Sequence, residues 1–184
     1  MKQLLAFIFL TVALYANSGG PGQGYANNAP NFNNCTSCHN GTQNSGDGSV
    51  FFTGLPNSYV PGETYTIGVT VTGANERGFG FQAAVQSGND VAGEILLNSS
   101  SSNAEINGDY IQHSSRTTSG SWVFDWIAPS TDLGEVTFSV SGLATGGSSS
   151  TSGDDVYTSS EVIPSQIPLD VTGLLFSEYG EGSS

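Results

Sequence analysis

From residue 49 onward, apolar and polar positions alternate with a period of two. The clearest run is 64–72, with Tyr65, Ile67, Val69 and Val71 on one face and Thr64, Thr66, Gly68, Thr70 and Thr72 on the other. Successive side chains of a strand point to opposite sides, so this run predicts a half-buried β-strand. The same reading predicts strands over 49–53, 78–86, 121–127 and 135–141, weaker ones over 91–97 and 110–114, and a closing strand over 156–163. Phe79, Phe81, Ala83 and Val85 share one face, as do Trp122, Phe124 and Trp126, and then Val136, Phe138 and Val140. Pro61-Gly62, the Ser/Asn-rich stretch 98–105, Ala128-Pro129 and the Gly/Ser stretch 146–153 supply the breaks between them. No segment repeats apolar residues at helical spacing. Short strands separated by turns predict an all-β chain folded as an antiparallel β-sandwich.

The chain before residue 49 follows other rules. Lys2 followed by the apolar run 4–14 and then small residues reads as a secretory signal over 1–18. That run is too short to span a bilayer, so no transmembrane segment is expected once it is removed. Residues 19–48 form a Gly-, Pro- and Asn-rich arm in which little intrinsic order is expected. The expected organisation is therefore a signal (1–18), an arm (19–48), a sandwich (49–165) and a C-terminal tail (166–184). In the tail, Leu174, Leu175 and Phe176 precede an acidic end.

Composition narrows the partners. The formal net charge of the 184-residue chain is −13, with only three Lys and Arg residues. Such a surface lacks the cations that neutralise phosphates, so nucleic acid is excluded as a partner, and anionic membrane surfaces are disfavoured. An export signal places the protein outside the cytoplasm: secreted, at the cell surface or in the periplasm.

The chemistry gathers at Cys35-Thr36-Ser37-Cys38-His39, which holds the only two cysteines and one of the two histidines. Two thiols two residues apart, followed by histidine, match the attachment pattern for one covalent c-type haem. Cys35 and Cys38 would take the porphyrin vinyl groups and His39 the iron. Two rivals use the same residues: a disulfide between Cys35 and Cys38 in an exported protein, or zinc held with His39 and His113.

Three stretches resemble a bacterial family of exported domains related to the reeler domain, often called choice-of-anchor V. They are the Ser18-Gly19-Gly20-Pro21 arm leading to Cys35–Gly41; Tyr59–Thr66 with Arg77-Gly78-Phe79-Gly80-Phe81-Gln82-Ala83; and Tyr110–Ser114 with Trp122–Pro129 and Gly153–Tyr157. The resemblance covers about residues 18–163. It implies an Ig-like sandwich with an N-terminal haem-type motif on an exported protein.

With Met1 and Lys2 removed alongside the signal, no methionine or lysine is left to act as sixth iron ligand. His113 is the expected one, with the freed amine, water or an open position as alternatives. Trp122, Trp126, Phe124, Phe51 and Phe52 are read either as porphyrin walls or as plain core, and Asp154-Asp155 either as a calcium contribution or as a solvated turn. The first functional expectation is a monohaem c-type cytochrome, not an enzyme. It would pass electrons outside the cytoplasm to a redox partner protein or an extracellular acceptor. The sequence leaves its assembly open between a monomer and a homo-oligomer or fibre. The alternative expectation is an extracellular binding or adhesion module with a Cys35–Cys38 disulfide. A peroxidase-like activity at an open iron is a third reading.

Overall fold

A computed structural model describes residues 19–74, 77–146, 151 and 153–166. The expected signal, most of the 146–153 loop and the tail from 167 onward lie outside these residues. Among the described residues, ten strands form two antiparallel sheets. One sheet contains β1 (Ser49–Thr53), β2 (Thr64–Thr72), β8 (Ser121–Ile127) and β5 (Glu94–Leu97), in the order β1-β2-β8-β5. The other contains β10 (Asp155–Ile163), β9 (Val136–Thr145), β3 (Gly78–Ser87), β7 (Tyr110–His113) and β6 (Ala104–Asn107), in the order β10-β9-β3-β7-β6. The two-residue β4 (Asp90–Val91) folds back on β3. The all-β sandwich expected from the period-two pattern is the fold observed.

The faces follow the alternation. Ile67, Val69 and Val71 of β2 and Trp122, Phe124 and Trp126 of β8 point inward from the first sheet. They meet Phe81, Ala83 and Val85 of β3 and Val136, Phe138 and Val140 of β9. Ring centroids of Phe81 and Trp122 lie 4.4 Å apart, and those of Trp126 and Phe138 4.9 Å apart, edge to face. Full burial of each such side chain contributes about 1.5–3 kcal/mol. The aromatics of β8 are therefore core, and Phe51 is turned outward on the edge strand β1.

Three departures from the expected strands have local causes. The segment 91–97 is not one strand. The chain leaves β4 in one sheet and enters β5 in the other through Ala92 and Gly93. Gly93 has φ +80°, and a Cβ there would meet the Ile127 carbonyl and the Trp126 indole, so only glycine fits this corner. β6 forms inside a stretch read largely as loop, because Ala104–Asn107 pairs with β7. β9 runs on to Thr145 because its second half pairs with β10 on one side and β3 on the other.

The arm is the largest departure. It lies on the outer face of the six-stranded sheet. There Gln82 and Gln112 are buried although they point away from the core. Gln82 accepts from the Tyr25 N–H (2.6 Å) and donates to the Gly22 carbonyl (2.7 Å) and to Gln112 Oε1 (2.7 Å). Gln86 donates to the Ala29 carbonyl, and Asn107 to the Pro21 carbonyl. Ala26 and Asn28 are buried in this contact. The arm carries little apolar mass, but its main chain satisfies amides that would otherwise be buried without partners.

The two tryptophans provide a test of the core. Trp126 Nε1 donates to the Ala92 carbonyl at 2.8 Å, whereas buried Trp122 Nε1 has no hydrogen-bond partner. Both Trp→Phe changes lose ring area, but only Trp126→Phe strands a buried carbonyl, which costs about 1–3 kcal/mol. In urea unfolding, Trp126→Phe is expected to be less stable than Trp122→Phe by about that amount. Equal losses would show that the bond to Ala92 contributes nothing.

Candidate functional site

Asn34 starts the local structure around the cysteines. Its side-chain oxygen accepts from the Thr36 N–H at 2.9 Å and from the Thr36 hydroxyl at 2.7 Å, capping a 3-10 turn over Cys35–Ser37. Capping satisfies a donor that the first turn leaves open. The Cys38 and His39 N–H groups both donate to the Cys35 carbonyl, at 3.2 and 2.9 Å. The turn is fastened to β9 by Ser141, whose hydroxyl oxygen accepts from the Cys35 N–H and whose proton is directed at Cys35 Sγ, each at 3.1 Å.

The two cysteines occupy different surroundings. Cys38 is exposed, while Cys35 lies against Ser141. Burial pushes the Cys35 thiol up to about 11, partly offset by the Ser141 hydrogen bond, with the neighbouring Cys38 adding to the rise. His39 turns to the start of β10, where Nδ1 lies 2.7 Å from Asp154 Oδ2. The side chains are 14% and 3% exposed, so this is a largely desolvated pair. Gly153, at φ +80°, makes the turn that points Asp154 inward.

His113 belongs to a different element. It ends β7, and its Nδ1 lies 3.0 Å from the Phe81 N–H and 3.1 Å from the Phe81 carbonyl. A single ring nitrogen serves one of these at a time: unprotonated, it accepts the N–H. The ring covers Gly80, where a Cβ would come within 2.7 Å of Cε1. Burial holds the His113 pKa below the ordinary histidine value. The Phe81 backbone and Glu105 oppose this, and His39 adds to it.

The structure thus brings Cys35, Cys38 and His39 together on one turn and ties His113 to the backbone of β3. Sequence reasoning missed Ser141, Asn34 and the Asp154 partnership. The only signal for the last was Gly153-Asp154 at a strand start. Among the described residues, no group of three or more His, Cys, Asp or Glu side chains is arranged to hold a metal ion. An open cavity of about 290 Å³ with a mixed lining, Val85, Val91, Ile95 and Ile106 beside Glu94 and Asp109, lies at the β4–β5–β6 edge of the fold.

Comparison with known proteins bears on the fold. The Reeler domain profile matches residues 32–145, from the arm through β9. The human F-spondin reeler domain superimposes with a TM-score of 0.50 at 20% identity, covering 68% of this chain and 94% of that one. The Reelin-N domain of F-spondin gives 0.52 at 18% identity, covering 69% and 93%. Among curated protein sequences, none matches. These findings overturn the electron-transferring cytochrome reading, with its haem and iron. The reading rested on a five-residue motif, whereas the fold is a reeler-type sandwich with almost no helix and no metal-holding cluster among the described residues.

The His113 environment sets a pH dependence. Burial favours the neutral ring, so its folded pKa lies below the unfolded value of 6.5. The stability associated with it is present above that value and is lost as pH falls below it. The urea midpoint is expected to drop between about pH 7.5 and pH 5, and to drop less in His113→Gln. Parallel curves for the two proteins would contradict this assignment.

Proposed function

The chain belongs to the Reeler domain family, and from that premise we propose that it is an extracellular β-sandwich module for binding or adhesion, with Cys35 and Cys38 joined as a disulfide. The observation that carries the reading is the family match over the cysteine turn and nine of the ten strands. Export is supported by the Lys2-led apolar run at the start of the chain. No catalytic role is part of this reading. An acidic surface with three Lys and Arg residues disfavours nucleic acid as the partner.

The disulfide is supported by the placement of the only two cysteines within one turn of an exported chain, where thiols are oxidised. An external thiol reaches the exposed Cys38 sulfur and must expel the Cys35 thiolate. Burial raises the Cys35 pKa, which makes this sulfur a poorer leaving group for reduction by that route.

The test uses the full chain exported from cells. The reading expects protein outside the cytoplasm, lighter by two thiol hydrogens than the sequence left after signal removal, unreactive to thiol reagents until reduced, and binding saturably to the producing cells. Cys38→Ser is expected to lower stability by about 2 kcal/mol, the chain-entropy value for so short a loop. Retention inside the cell, a mass increased by a covalently bound haem, or the absence of saturable binding would overturn it.

A further inference from the structure

The arm's resting place is a peptide-binding track that is already filled. Gln82, Gln86 and Asn107 hold the main chain of residues 21–29 through side-chain amides. Gln23 reaches Asn107 (3.3 Å), and Asn28 reaches the Tyr110 hydroxyl (3.4 Å). What fits the track is therefore defined by its present occupant: an irregular, repeatedly bent, uncharged segment rich in Gly, Pro and Asn. Every copy of this chain carries that segment.

We propose that residues 19–31 are exchanged between copies of this chain, so that the arm of one copy lies on the β3–β7–β6 face of another. The connector is short and strained. Phe32 has φ +53°, in the left-handed region that bulky residues avoid, and its side chain is 59% exposed. Two backbone bonds close this bend, Asn27 N–H to the Asn33 carbonyl and Phe32 N–H to the Asn28 carbonyl. Beyond it the chain is fixed: Cys35 to Ser141, Asn40 to the Thr151 carbonyl, and Asn44 to the Val156 carbonyl. The pivot is therefore confined to residues 32–34. Extending it gives up the two bend hydrogen bonds and the Asn34 Nδ2 to Asn27 Oδ1 bond (3.4 Å) and releases Phe32, while every contact with the sheet is remade in the second copy. Short, strained hinges favour this kind of exchange. Reciprocal exchange closes a dimer, and one-way exchange extends a chain of copies. The net charge of −13 opposes association at low salt, so exchange increases as salt screens it.

The test places Gln23→Cys in one preparation of the full exported chain and Asn107→Cys in another. The two are mixed at high salt, oxidised and mapped by peptide mass, which separates a 23–107 link from any made by Cys35 or Cys38. Exchange predicts covalent 23–107 links between different copies, rising with concentration and salt, and a several-fold lower yield in the Phe32→Gly background, where the closed bend is unstrained. The double variant Gln23→Cys/Asn107→Cys, which links within one copy, shows that the two positions meet. A monomer by light scattering at all concentrations and salts, with no 23–107 link between copies, overturns the proposal.

Discussion

The burial of Trp126 between the sheets is the contact on which the rest of the sandwich depends. Its ring meets Phe138 of the opposite sheet, Tyr65 of the neighbouring strand and Tyr59 of the preceding loop. Its N–H fixes the Ala92 carbonyl, at the corner where the chain changes sheets. Tyr59 in turn bonds the Leu133 N–H through its hydroxyl, and its backbone pairs with Pro164 and Gln166. One aromatic side chain thus couples the two sheets, the crossover between them and the segment that follows β10. Such dense packing tolerates little change in volume at this point.

Closing the core leaves the outer face of the six-stranded sheet to be accounted for. A purely solvated face would leave Gln82 and Gln112 in water, yet both are buried. The arm is therefore a third layer, held by polar complementarity where the two sheets are held by apolar area. Buried amides of this kind favour one arrangement, because any register that strands a donor or acceptor is costly. The cysteine turn lies at the end of this layer. Its links to Ser141 of β9 and to Asp154 before β10 make it the clasp between arm and sandwich.

The sequence showed the sandwich most clearly where one face of a strand is buried and the other is not. β2 and β8 alternate cleanly because their outer faces carry Thr, Ser, Val and Asp. β9 was read short because alternation fades where both faces are covered, and Ser141 through Ala144 are all buried. The crossover at Gly93 was invisible because it depends on Trp126, which is remote in sequence. The arm was read as loosely ordered because local composition says nothing of a distant glutamine that satisfies its backbone. At the site, the cluster Cys35, Cys38 and His39 was legible as a unit. Its partners Ser141 and Asp154 lie 106 and 115 residues away, and a motif carries no information at that range. The cytochrome reading failed for the same reason: a short local pattern was given a function without the fold that holds it.

Residues 19–34 form a structural layer of the sandwich, closed by the desolvated pair Gln82 and Gln112. Hydrogen exchange at the Tyr25 amide, which donates to Gln82 Oε1 at 2.6 Å, tests it most directly. The account predicts that this amide is protected to a degree approaching that of the central strands, and that Gln82→Ala removes the protection while the strands keep theirs. Exchange at the rate of an open chain, with the sandwich intact, would contradict it.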